Sequence, residues 1–227
     1  MKTAFIILAT AFSLSIQAQS GAQLRAGANF ANISVTNDGR VDDANMLTSC
    51  QLGFIGNLHL GSIAYLQPGI IFTGKGSKTQ SGSTSSANYF KATSNPFYVE
   101  LPANLILKLP LSSDNRFFVG AGPYLGVGVS GKNKVEGKSL GVAFKSERKI
   151  EFSDDDPSTF SYEENAGFGV LKRFDYGLNG TAGIEGKGAS FSLNYGYGLA
   201  KISSGTNGSS NDNNKHRVLS LLLGIKL

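Results

Sequence analysis

Charged side chains recur inside segments whose other residues alternate between apolar and small or polar types. The alternation places seven of them opposite the apolar residues: Arg25, Glu100, Lys108, Arg173, Asp175, Glu185 and Lys226. Facing charges of opposite sign can carry protons or ions, or they can form a salt-bridged plug, because buried charges need partners. We favour the plug. One cluster is expected at the height of Glu100 and Asp175, and a lower one is expected from Arg25, Lys108, Glu185 and Lys226.

Catalytic chemistry has little support in the histidines and serines. A serine nucleophile needs a base within hydrogen-bonding distance, and the two histidines are His59 and His216. His216 is close in sequence to Ser209, Ser210 and Asp212, but such a grouping in a polar loop is common by chance. There is no phosphate-binding glycine loop and no zinc-ligand spacing. The sequence therefore predicts no catalytic residue, no cofactor and no enzymatic activity.

An acidic run, Asp154-Asp155-Asp156, precedes Pro157. Carboxylates bind divalent cations, but acidic residues at a turn are more often solvated, and we predict no metal site. Residues 149–152 and 159–162 alternate on either side of the run, which predicts a hairpin turning at Asp154–Pro157. Cys50 is the only cysteine, which excludes an internal disulfide.

Eight segments with an apolar residue at every second position must position these groups. They are residues 22–33, 49–59, 63–73, 97–109, 116–130, 170–184, 190–202 and 217–227. A period of two is typical of β-strands with one face in one environment. The face opposite the apolar residues is rich in glycine and lacks the Lys, Glu and Thr of a solvated surface. The apolar face is therefore predicted to meet lipid and the other face to line a narrow lumen. Pro102 is expected to mark a bulge or bend.

The connections alternate between short and long. Short joins lie near residues 60–62, 110–115 and 185–189, and long polar joins span 34–48, 75–95, 131–168 and 203–215. The pattern predicts an all-β fold, an eight-stranded antiparallel up-and-down transmembrane β-barrel with periplasmic turns and four external loops. A closed barrel leaves no unpaired edge in hydrocarbon. A narrow channel for small solutes or ions and a soluble ligand-binding barrel are the alternatives.

The N-terminal residues read as a secretory signal peptide. Lys2 precedes a mostly apolar stretch at 4–16, and Ile16-Gln17-Ala18 is an acceptable cleavage site. The stretch is shorter than the ~20 residues that a transmembrane helix needs. We therefore expect a signal peptide at 1–18, a barrel domain at 19–227 and export to the outer membrane.

The formal net charge of +5 comes from basic residues interspersed with acids. That pattern lacks a basic helix or an aromatic-interleaved basic patch, so nucleic-acid binding is not expected. The expected partners are outer-membrane lipid and lipopolysaccharide, the outer-membrane assembly machinery, periplasmic chaperones and an unknown extracellular ligand. A monomer is expected.

Several short motifs occur in the order of a known family. They are Tyr-Leu-Gln-Pro-Gly at 65–69, Tyr-Val-Glu-Leu-Pro-Ala at 98–103, Phe-Val-Gly-Ala-Gly-Pro-Tyr-Leu-Gly at 118–126, Phe-Asp-Tyr-Gly at 174–177 and Tyr-Gly-Tyr-Gly-Leu at 195–199. Together they resemble the Bacteroidota-type outer-membrane β-barrel proteins, the PorT-like family. The resemblance implies an eight-stranded outer-membrane barrel, for which an activity is usually not assigned.

Overall fold

The computed structural model describes residues 21–34, 36–37, 40–41, 46–83, 88–153, 170–202 and 215–227. The proposed signal peptide and the run Asp154–Asp156 lie outside these residues. Eight long strands carry the fold: β1 Ala22–Ser34, β2 Leu47–Gly56, β3 Ala64–Gly74, β4 Tyr89–Pro110, β5 Arg116–Ser139, β6 Phe174–Glu185, β7 Ala189–Gly198 and β8 Lys215–Lys226. Short strands are Thr36–Asn37, Arg40–Val41, Leu58–His59, Ser77–Ser81, Val142–Lys149, Glu151–Phe152 and Val170–Leu171.

The eight long strands form a closed antiparallel ring. Each pairs with the next along the chain, and β1 pairs with β8, so that Ala28 lies opposite Leu221. Three short connections lie at one end, the short-turn end, together with Ala22 and Leu227, whose backbones are hydrogen-bonded at 2.9 Å. The opposite end is the long-loop end. The predicted eight-stranded up-and-down barrel is confirmed. Among the described residues, no helix is long and apolar enough to cross a membrane.

The two faces of the wall differ in the way that the alternation predicts. Leu52, Leu193 and Leu223 of the outer face are 52%, 46% and 65% exposed. On the inner face, Gln23 and Gln67 are each 1% exposed. An apolar belt around a polar interior is the arrangement that a barrel in lipid requires, because the outer side chains then meet hydrocarbon.

The interior is narrow because glycines face large rings. A Cβ on Gly177 would lie 2.7 Å from the Tyr124 ring, and one on Gly128 would overlap the ring of Phe152. Glycine at these positions allows close approach of a side chain from another strand. This is how an eight-stranded barrel, whose lumen is just wide enough for side chains, is filled.

The described parts of two regions predicted as long loops are largely strand. Residues 77–81, 89–96, 131–139 and 142–149 form a four-stranded sheet that continues the wall beyond the long-loop end. We call it the extension. For these residues the prediction of loops at 75–95 and 131–168 is wrong. Polar residues occupy both faces of the strands, so the apolar period of two disappears although the backbone pairing continues.

The extension turns at Leu140 and Gly141. Their φ angles are +50° and +84°, and Ser139 pairs with Val142 across them. Two residues with positive φ give the twist that a two-residue hairpin needs. The hairpin predicted at Asp154–Pro157 has its turn outside the described residues. On its described side, Glu151–Phe152 pairs in parallel with Val170–Leu171.

The predicted irregularity at Pro102 is not a bulge. The register between β4 and β5 is unchanged across this residue, which still pairs with Tyr124. The register shift lies at Phe97 and Tyr98, which pair with Ser130 and Gly128. The extra residue is thus Val129, at the boundary between the barrel and the extension.

Candidate functional site: the filled lumen and its outer cap

A buried ion-pair cluster, the upper cluster, occupies the half of the lumen nearer the long-loop end. The Nζ of Lys75 donates to Asp175 Oδ2 at 2.6 Å and forms an ion pair with Glu100. The three side chains come from β4, β6 and the segment that follows β3. Lys75, Glu100 and Asp175 are 4%, 6% and 3% exposed, respectively. One lysine therefore faces two carboxylates across the lumen.

Aromatic side chains surround the upper cluster. Tyr124 donates its hydroxyl to Asp175 at 3.2 Å, and its ring centroid is 4.2 Å from Lys75 Nζ. His216 is buried, with its Nε2 3.5 Å from the Tyr98 hydroxyl oxygen. The rings of Tyr98 and His216 meet edge to face at 5.4 Å. His216 thus faces the lumen, whereas the loop serines considered as its partners lie outside the described residues.

A second cluster, the lower cluster, lies toward the short-turn end. Lys108 Nζ donates to Glu185 Oε2 at 2.9 Å and to Asn57 Oδ1 at 3.0 Å. Lys226 approaches the other oxygen of Glu185 at 3.7 Å and donates to the carbonyl of Gly186 at 2.7 Å. Lys226 is about one-third exposed, so it closes the cluster at the rim.

Arg25 joins the lower cluster through neutral amides. Its Nε donates to Gln23 Oε1 at 2.6 Å, and its Nη2 donates to Gln67 Oε1 at 3.1 Å. Gln67 in turn donates to Asn57 at 2.6 Å. The amides therefore connect Arg25 to the Lys108–Glu185 pair in one network.

Between the two clusters lies a polar layer with little free space. Asn29 Nδ2 donates to Thr73 Oγ1 at 2.8 Å. A partly open cavity that reaches from the upper cluster to Thr73, His216 and Ser220 has a volume of ≈ 20 Å³, which is about the space of one water molecule. A cavity of this volume, formed by described residues, is too small to serve as an aqueous channel.

An apolar cap covers the upper cluster. Ile33, Ile150, Leu171 and Ile202 form a buried group with Phe152 packed against it. The Phe152 ring meets the Tyr98 ring edge to face at 5.7 Å. The end of β1 and segments of two connections, β5–β6 and β7–β8, thus meet over the long-loop end of the lumen.

Six of the seven predicted lumen residues contact the lumen network or its rim. The exception is Arg173, for which the prediction is wrong. Arg173 is exposed and donates to the Phe152 carbonyl at 3.0 Å. The reason is local, since β6 begins at Phe174 and Arg173 lies in the preceding bend. The alternation that holds from Phe174 onward therefore does not extend back to it.

Lys75 was not predicted, although it is the only cation in the described residues within ion-pair distance of Glu100 and Asp175. The predicted third strand stops at Thr73, but backbone pairing with β4 continues in the same register at Ser77–Ser94. Extending the alternation by two residues places Lys75 on the inner face. Continuing the alternation of the third strand past Thr73 would therefore have identified Lys75 from the sequence.

The sequence was also compared with known proteins. A profile of the outer membrane protein beta-barrel domain family matches residues 17–204. The chain therefore belongs to this family, and it is an outer-membrane β-barrel protein. Among proteins with curated descriptions, none matches the chain.

Solved structures include distant matches. Ail of Yersinia pestis has 13% identity and a TM-score of 0.39, covering 92% of this chain and 99% of its own. Neisserial surface protein A has 12% identity and a TM-score of 0.42, covering 91% and 97%. OprG of Pseudomonas aeruginosa has 15% and 0.35, covering 92% and 96%. These values carry no functional argument.

Proposed function

We propose that the protein is a non-enzymatic barrel with a closed lumen that holds its long loops and the extension at the cell surface. Their role is surface interaction or envelope integrity. The observation that carries the proposal is the filling of the lumen by two ion-pair clusters beneath an apolar cap. Such an interior fixes the wall and leaves the loops as the part of the molecule that is accessible to a partner.

Export and assembly complete the proposal. Residues 1–18 act as a cleaved signal peptide, and residues 19–227 form the barrel domain. Periplasmic chaperones and the outer-membrane assembly machinery are the proposed transient partners, lipid and lipopolysaccharide surround a monomer, and an extracellular ligand contacts the loops. The ordered motifs at 65–69, 98–103 and 118–126 support a place among the PorT-like proteins of Bacteroidota.

Conductance in planar bilayers tests the closed lumen. Wild-type protein is expected to give no steady openings, because side chains and the cap occupy the path. Phe152→Ala is expected to stay closed as well, since the two clusters lie beneath the cap. Steady openings that change in size with Glu100→Gln would contradict the proposal and favour the narrow-channel alternative.

A further inference from the structure

The outward face of the extension is strongly basic. Register places seven lysines on it: Lys78, Lys91, Lys132, Lys134, Lys138, Lys145 and Lys149. We call this the basic face. Two glutamates, Glu136 and Glu147, share it, and Glu151 follows at its base. The excess of positive charge lies on one side of one sheet, whereas charges elsewhere in the chain are mixed.

The acids on the basic face do not neutralise it. Glu136 accepts from Lys134 at 2.6 Å and from Lys91 at 2.9 Å. Hydrogen bonds from these two lysines lower the pKa of Glu136 to about 2. Glu147 pairs with Lys132 at 2.6 Å. Within the described part of the chain, Lys78, Lys145 and Lys149 have no acidic partner at ion-pair distance.

The basic face directly continues the apolar belt. Phe97, whose ring stacks on that of Phe72 at 5.0 Å, is the residue of the apolar belt on β4 that lies nearest the extension. Asn95 and its partner Lys132 lie two residues farther along the strands, a rise of about 7 Å. The lysines therefore begin where hydrocarbon gives way to headgroups, and they point toward the surrounding lipid.

We propose that the basic face binds the phosphate-bearing headgroups of an anionic glycolipid in the outer leaflet. Two observations select this occupant: charge complementarity to phosphate and continuity with the lipid-facing belt. The lower end of the basic face, at Lys132 and Lys149, adjoins the lipid-facing belt, which favours a lipid headgroup over a soluble partner. This inference rests on the proposed placement of the long-loop end outside the cell.

Lipid retention by purified full-length protein tests this inference. The protein is placed in phosphatidylcholine nanodiscs containing lipid A with two phosphates, and retained lipid A is measured by native mass spectrometry. The face variant carries Lys78→Gln, Lys145→Gln and Lys149→Gln. A lysine near an anionic surface contributes about a fivefold factor, and the factor falls with distance. Lys149 is level with Lys132, whereas Lys78 and Lys145 lie farther from the belt, so retention is expected to weaken on the order of 10-fold. Dephosphorylated lipid A is expected to be retained poorly by every variant.

The matched control removes three positive charges away from the basic face, by Arg116→Gln, Arg148→Gln and Lys187→Gln. Arg148 lies on the opposite side of the same extension. The control is expected to retain lipid A like the wild type. Equal retention of lipid A by both triple variants would overturn the inference. Heparin, an acidic polysaccharide, is the second probe. A face variant that loses heparin binding but still retains lipid A would also overturn the inference, because the basic face would then recognise an acidic polysaccharide. Neither result bears on the closed lumen, which conductance tests separately.

Discussion

Replacing Lys75 by methionine is expected to lower the free energy of unfolding by about 3–5 kcal/mol. The substitution keeps the length and most of the volume of the side chain. It removes the cation that faces both Glu100 and Asp175, which are buried. Two carboxylates would then share a low-dielectric site without a counter-charge, and the cost of their desolvation would no longer be offset.

Urea unfolding from lipid vesicles, followed by far-ultraviolet circular dichroism, measures this effect, since the chain has no tryptophan. Lys78→Met, three residues farther along and on the outward face, is the matched control and is expected to stay within about 0.5 kcal/mol of wild type. The triple variant Lys75→Met, Glu100→Gln, Asp175→Asn is expected to recover most of the lost stability. A loss below about 1 kcal/mol for Lys75→Met alone would show that the upper cluster does not hold the lumen together.

Introducing arginine at Leu221 is the second large effect, expected to cost about 2–4 kcal/mol. Leu221 lies midway along β8 on the outer face, between Ala28 and Leu193. A guanidinium there must either enter hydrocarbon or extend toward the interface. The penalty depends on depth, so it is expected to fall in vesicles of shorter-chain lipids.

Ser220→Arg distinguishes the two faces. Ser220 is buried in the lumen between Asn29 and Asn194, and an arginine there is expected to cost about 1–3 kcal/mol through crowding. That cost is expected to be the same in thick and thin bilayers. Equal dependence on bilayer thickness at positions 220 and 221 would contradict the assignment of faces.

Most of the wall was predictable because each strand residue has one of two environments. The alternation from Phe97 to Leu109 reads directly as outer and inner face, and Glu100 and Lys108 fall inside. The apolar alternation does not identify a strand where polar residues occupy both of its faces. For that reason the third predicted strand stopped short of Lys75, and the extension was predicted as loops.

The cap could not be predicted from local pattern. Ile33, Ile150 and Ile202 are separated by more than 50 residues along the chain, and each lies where a strand gives way to a connection. They are brought together only by the strand pairings that close the ring. Arg173 was predicted in the lumen because the alternation was extended back beyond Phe174. Its side-chain direction depends instead on where β6 begins.

Paired cysteine labelling across one strand tests the central claim most directly. In a Cys50→Ser background, which removes the exposed native thiol, Leu221→Cys and Ser220→Cys are each treated in outer membranes with a lipid-phase maleimide and a water-soluble maleimide. Ser112→Cys, in the exposed turn between β4 and β5, is the control for aqueous reaction. The cysteine at 221 is expected to react with the lipid-phase probe alone, and the cysteine at 220 with neither. Reaction at 220 with the water-soluble probe at the rate seen at 112 would contradict a closed lumen, and equal lipid-phase labelling at both positions would contradict the barrel's two faces.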